Sequence, residues 1–230
     1  DFARAANLIE RAVTGMRQSR QEPKVLQWLK ALPEELFASR PVLNVHYAGV
    51  LIQNGKFEGV EARLQDAERW LDRGVEGQVR PEDSSVELFV VDQKEFHGLA
   101  GSIAMYRAAI ALASGDVAKT MKYAQQMLEL IPEDDHLRRG AAAGFMGLSY
   151  WTIGDLDSAH QSYMECMARL QRIGYISDII GCLITLADIQ IAQGRLRDAM
   201  STYERGLQLA TQGATVARGV ADMHVGISTV

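Results

Sequence analysis

Two cysteines and five prolines in 230 residues are few, and each shortage excludes something. Two thiols cannot build a disulfide framework, and the spacing of Cys166 and Cys182 does not match a zinc site. Both fall in apolar helical patterns and are expected to be small buried groups with reduced thiols. Scarce proline, beside plentiful Ala, Leu, Glu, Gln, Met and Arg, favours helix, because those side chains lose little rotamer freedom in a helical backbone. A basic surplus is missing too. The 24 Lys and Arg against 29 Asp and Glu leave a formal net charge of −5, so no attraction to phosphate backbones or anionic lipid is expected. No apolar run reaches membrane-spanning length, and no segment carries the basic, apolar and cleavage regions of a signal peptide. A cytoplasmic chain with no direct nucleic-acid contact and no membrane association is the expectation.

What is present is an internal repeat, marked by its turns. Gln53-Asn-Gly-Lys-Phe57, Ala113-Ser-Gly-Asp-Val117, Ile153-Gly-Asp-Leu156 and Gln193-Gly-Arg-Leu196 each place a glycine at the end of an apolar helical pattern. Gly55, Gly115, Gly154 and Gly194 are expected to close their helices in the left-handed conformation. Small residues precede these turns at a fixed offset, at Ala48, Ala108, Gly147 and Ala187. Two further series follow them: Val60, Thr120, Ala159 and Ala199, then Leu64, Ala124, Tyr163 and Tyr203. Small residues let two helices approach closely, and the third series fills the space beside them. In these positions the unit resembles the tetratricopeptide repeat, with units of about 40 residues rather than the basic ~34. Pro132 closes one unit where that family often has proline.

The fold expected is therefore all-α, a tetratricopeptide-type solenoid of helix pairs with about 11 helices. Helices are expected over 2–17, 23–31, 41–54, 57–73, 86–114, 116–130, 135–153, 155–173, 175–193, 195–212 and 215–230. The polar stretch Gly74 to Ser85 reads as an exposed loop inside a single solenoid domain spanning 1–230. Helical patterns already running at Phe2, Ala5, Ala6, Leu8 and Ile9, and still running at Met223, Val225, Ile227 and Val230, suggest a piece of a longer protein.

Chemical motifs are weak. Gly115-Asp-Val-Ala-Lys-Thr120 ends like a phosphate loop, but it lacks the glycine before lysine and follows a helix, so it reads as a repeat turn. Acids Glu133 to Asp135 before His136 read as a helix cap with favourable charge at the helix dipole. Glu95 and His97 stand two apart and do not share a helix face. His46, His160 and His224 have no partner in spacing, and neither a nucleophile elbow nor a His-Glu-x-x-His motif occurs. No catalytic residue, metal site or cofactor is expected.

The segment Leu26-Gln-Trp-Leu-Lys-Ala-Leu-Pro-Glu-Glu-Leu36, with Ser39-Arg-Pro-Val-Leu43, is more specific. With Leu130-Ile-Pro-Glu-Asp-Asp135, Leu148-Ser-Tyr-Trp-Thr-Ile-Gly-Asp-Leu156 and Leu186-Ala-Asp-Ile-Gln-Ile-Ala-Gln-Gly-Arg-Leu196, it resembles the tetratricopeptide-like domain of ATP-dependent, MalT-like LuxR-type transcriptional regulators. The resemblance implies an effector-sensing and self-association-control domain. A signalling NTPase module before it and a DNA-binding helix-turn-helix after it are implied outside this chain. In the opening motif Arg40 and Glu35 are candidate bridging charges, between a helix that ends before Pro33 and one that starts near Pro41. First-helix positions facing away from their partners give the groove candidates Gln53, Met105, Leu148, Trp151, Ile184 and Asp188. Trp151 with Asp188 suits a sugar or other small polar ligand. The groove lacks the Lys, Arg and Asn that clamp a peptide carboxylate, although its apolar residues suit an amphipathic helix, from another copy or another domain. A tetratricopeptide scaffold for protein–protein interaction is the alternative.

Overall fold

The computed structural model describes residues 1–72, 87–212 and 219–229. The expected loop Gly74 to Ser85 lies outside them, as do residues 215–218 and 230 of the last expected helix. Among the described residues there are helices but no strand, twelve α-helices and one 3-10 helix, slightly more than expected. They are α1 (Phe2–Gln18), α2 (Glu22–Lys30), a 3-10 helix (Glu34–Ser39), α3 (Pro41–Gln53), α4 (Val60–Asp72), α5 (Gln93–His97), α6 (Leu99–Ala113), α7 (Val117–Leu130), α8 (His136–Thr152), α9 (Leu156–Arg172), α10 (Ile176–Ala192), α11 (Leu196–Gln212) and α12 (Val220–Thr229). The chain forms two compact units, Asp1–Ile110 and Ala111–Val230, each with its own hydrophobic core. Among the described residues, no helix is long and apolar enough to cross a membrane.

The glycine turns form as the repeat requires. Gly55, Gly115, Gly154 and Gly194 have φ of 68°, 74°, 84° and 75°, a region where a side chain would clash with its own backbone. Each turn carries the same pair of backbone hydrogen bonds. In one, Gly154 N–H donates to Trp151 O at 3.0 Å and Asp155 N–H to Tyr150 O at 2.9 Å. These satisfy carbonyls that a helix end would otherwise leave without partners. After Gly115 and Gly154 the next residue caps the following helix. Asp116 accepts from Lys119 N at 3.0 Å and Asp155 from Ser158 N at 3.1 Å. Asp135, the last of the three acids before His136, caps α8 in the same way through Arg138 N at 3.1 Å.

The helix pairs close on the small positions. Val60, Thr120, Ala159 and Ala199 are fully buried, as are Ala48, Ala108 and Ala187. Opposite Gly147, the Tyr163 ring stands so near that a β-carbon built on the glycine would lie 2.6 Å from Cδ2. In unit two, successive helices from α7 to α12 pack on one another, and α10 also reaches α12. Contact with the next helix but one is what a stack of pairs produces and an isolated hairpin does not.

Two boundaries differ from expectation. α4 starts at Val60 rather than 57, because Gly59 has φ 76° and cannot continue a right-handed helix. The expected helix 86–114 is interrupted. Residues 87–90 are irregular, Asp92 caps α5 by accepting from Lys94 N at 2.8 Å, and α5 ends at Gly98 before α6 begins. The segment is drawn off by distant partners: Phe89 N–H donates to Ser39 O at 2.9 Å, Val91 N–H to Glu10 Oε1 at 3.4 Å, and the Arg40 guanidinium lies 3.9 Å from the Phe89 ring centroid. In the expected gap between 155–173 and 175–193, Gly174, with φ 68°, makes a further left-handed turn between α9 and α10.

The opening motif folds as α2, the 3-10 helix and α3, but its charges pair differently. Arg40 lies 3.7 Å from Glu10 and donates to Asn7 at 2.7 Å, so it does not bridge to Glu35. Glu34 takes the other role and pairs with Arg63 at 2.6 Å. Arg63 also stacks on Phe37 and Tyr47, 4.4 and 4.7 Å from their ring centroids. A planar guanidinium can pair at its edge and stack on its face at once.

Candidate functional site

In unit two the candidates sit on α8 and α10, the first helices of consecutive pairs. Leu148, Trp151 and Ile184 are partly buried, resting on the core while keeping a solvent-facing side, and Tyr150 and Ile191 extend the row. Asp188 is partly buried but engaged: the Tyr203 hydroxyl from α11 donates to its Oδ1 at 2.5 Å. Burial, and then the Asp188 carboxylate, push the Tyr203 hydroxyl well above its ordinary value, so it remains a donor. Asp188 therefore faces its partner helix with one oxygen, and only Oδ2 has no partner among the described residues.

In unit one the candidates are Gln53 and Met105. Met105 is partly buried against the core. Gln53 is exposed and, with its amide turned to present oxygen, accepts from Arg17 Nε at 3.2 Å and Nη2 at 3.0 Å. Arg17 Nη1 donates to the Tyr106 hydroxyl at 3.0 Å, so one guanidinium ties α1 to both α3 and α6. Gly49 makes this possible, since a β-carbon there would sit 2.2 Å from the Tyr106 oxygen. Sequence reasoning missed Arg17 and Tyr106. The signal was Gly49, a glycine inside a helix, which usually marks close approach.

Groups weighed for other chemistry have structural partners. Lys119 pairs with Asp116 at 2.8 Å, and the Thr120 hydroxyl donates to Asp116 O at 2.8 Å, as a repeat turn requires and a phosphate loop does not. His97 Nδ1 lies 2.5 Å from Gln93 O, inside its own short helix. Among the described residues, no cluster of three His, Cys, Asp or Glu is placed to hold a metal ion. A shallow cavity of about 300 Å³ opens between α9, α10 and α11, floored by Met164, Met167, Leu183 and Leu186 and rimmed by His160, Arg195 and Arg205. Burial, then the Arg195 charge, lower the His160 pKa, favouring the neutral ring.

Residues 101–230 match a family model described as the MalT-like TPR region. The chain belongs to the MalT-like TPR region family. Five of the six candidates, Met105, Leu148, Trp151, Ile184 and Asp188, fall inside the matched MalT-like span, and Gln53 falls before it. The same span contains the phrases around Leu130, Leu148 and Leu186, whereas the opening motif at Leu26 to Leu43 precedes it. Among solved structures, the crystal structure of BtubC (BKLC) from P. vanneervenii is similar with a TM-score of 0.58 at 14% identity, covering 100% of this chain and 82% of that chain. At that identity the likeness is one of fold. No match was found among curated proteins.

Proposed function

We propose that the chain is the effector-sensing and self-association-control domain of a MalT-like LuxR-type regulator, binding its ligand or partner on the exposed side of α8 and α10 without catalysing a reaction. The observation that carries this reading is the partly buried row Leu148, Trp151, Ile184 and Ile191, whose apolar sides are anchored in the core and whose outer sides are open. Anchored side chains lose little further entropy when a ligand covers them, which favours binding there. α10 contains no basic residue from Ile176 to Ala192. On α8, Arg138 and Arg139 pair with Asp135 and Glu133 at the helix start. A carboxylate clamp is thus missing from these helices, while a neutral hydroxylated ligand has the indole face and the open Asp188 oxygen.

The test is thermal-shift screening of the chain against sugars and small metabolites, followed by Trp151→Ala. A compound that raises Tm in the parent and not in the variant supports the reading. Unchanged Tm across a broad panel removes direct small-molecule sensing. A scaffold role is the second reading, favoured by the apolar character of Leu148, Ile184 and Ile191, which suits an amphipathic helix. Pull-down that survives substitution of all three residues refutes it.

A further inference from the structure

Cys166 on α9 and Cys182 on α10 face each other with their sulfurs 3.5 Å apart. Both are free thiols; Cys166 is buried, and Cys182 is partly open to solvent. Gly144 of α8 lies beside the pair, its missing β-carbon leaving the space next to Cys166 Sγ open. We propose that these two cysteines are an oxidative modification site: a two-electron oxidant of the hydroperoxide class converts them to an intramolecular disulfide that staples α9 to α10.

The chemistry balances with the two thiols and one hydroperoxide. Cys182, which the oxidant can reach, attacks the terminal peroxide oxygen as a thiolate. The O–O bond breaks, the other oxygen leaves as water or an alcohol after taking a proton, and Cys182 becomes a sulfenic acid. Cys166 then attacks that sulfur, an S–S bond forms, and the sulfenic oxygen departs as water with the proton from Cys166. Two thiols are oxidised by two electrons and the peroxide is reduced by two. Contact between the thiols assists the first step, because whichever sulfur ionises is stabilised by the S–H of the other. Hydrogen bonding between the two lowers the Cys166 pKa and raises that of Cys182, so Cys166 ionises first and takes the Cys182 proton across the 3.5 Å contact as Cys182 attacks.

The geometry favours closure over further oxidation. Disulfide sulfurs stand about 2.0 Å apart, so the pair needs roughly 1.5 Å of approach, within the reach of side-chain rotation and slight helix movement. A sulfenic acid with a resolving thiol in contact condenses before it meets a second oxidant. The consequence concerns the joint between helix pairs. In a stack of repeats, shape is set by the small rotation from one pair to the next, and α9 against α10 is the joint between the pairs α8/α9 and α10/α11. A covalent bond there fixes the relation of α8 to α10, the two helices that carry the Trp151 row.

The experiment treats the 230-residue chain with dilute hydrogen peroxide, quenches with N-ethylmaleimide and reads the intact mass, followed by peptide mapping. The expected product has lost two hydrogen atoms, takes up no maleimide, yields a peptide pair joined through Cys166 and Cys182, and returns to the dithiol with a reductant. Its Tm is raised by roughly 5 °C, as a short closed loop predicts. In Cys166→Ala, which retains a small apolar side chain, a sulfenic acid at Cys182 becomes trappable by dimedone. Two results overturn the proposal: maleimide uptake at both cysteines after peroxide, or a product that gains oxygen without an internal cross-link. If Cys166→Ala folds poorly, Cys182→Ser, at the more open position, supplies the control, and in it the cross-link must vanish.

Discussion

Replacing Gly147 by alanine tests the repeat packing most sharply, because two opposing effects meet at one position. Alanine inside a helix is worth about 1 kcal/mol over glycine. At Gly147 the new methyl would stand 2.6 Å from Tyr163 Cδ2, 2.8 Å from Cε2 and 3.3 Å from Ser162 Cβ. Tyr163 is itself buried in the unit-two core, so its ring has nowhere to retreat and overpacking costs about 1–3 kcal/mol. The net expectation for Gly147→Ala is a loss of about 1 kcal/mol, with Tm lower by roughly 2–4 °C. Gly181, inside α10, is the control: a β-carbon there meets nothing within 4 Å. Gly181→Ala should therefore gain about 1 kcal/mol with no opposing term. Urea unfolding of both variants measures the difference, and Tyr163→Leu in the Gly147→Ala background should restore part of the loss through coupling. Equal stability of the two alanine variants would refute the packing argument.

Three other expectations follow from named contacts. Asp135→Ala removes the α8 cap and the 2.6 Å pair with Arg138, and should cost about 1 kcal/mol in urea unfolding. Glu10 is buried with Oε2 lacking a hydrogen-bond partner, and burial raises its pKa from 4.5 to about 7. The folded state therefore holds a proton that the unfolded state has released, so stability falls as pH rises from about 4.5 to about 7. Glu10→Gln should flatten that slope in a Tm-against-pH series; a parent slope of opposite sign in that window, unchanged in the variant, would contradict this. Arg63→Lys keeps the charge near Glu34 but loses the stack on Phe37 and Tyr47, and should destabilise unit one by about 1–2 kcal/mol in urea unfolding.

Where a feature depends on one residue and its immediate neighbours, it was readable from the chain alone. Gly115 or Gly154 announces a turn because only glycine takes the left-handed angle without strain, and the small positions follow at fixed offsets from it. The irregular segment at 87–90 was not readable in this way. Its composition suits a helix, and it leaves that pattern because Ser39, Glu10 and Arg40, distant in sequence, take its amides and its ring. Asp188 was assigned to the outer face by helical phase, which does not show that Tyr203 bonds back to it across the pair. The thiol contact had a signal that went unused. Cys166 and Cys182 stand equally far on either side of Gly174, and residues symmetric about a turn meet across a helical hairpin. The break at 174 lies between the expected helices 155–173 and 175–193, but Gly174 stands outside the repeat-turn series, because that motif lies between the first and second helix of a pair whereas Gly174 joins one pair to the next.

The central claim, that ligand or partner is received on α8 and α10, is tested most directly by the emission of Trp151. A chain carrying Trp28→Phe and Trp70→Phe leaves Trp151 as its only indole. Titration with a compound or partner that binds by calorimetry should give a saturable change in emission with the same midpoint as the heat signal. Binding detected by calorimetry with Trp151 emission unchanged through saturation would contradict the claim.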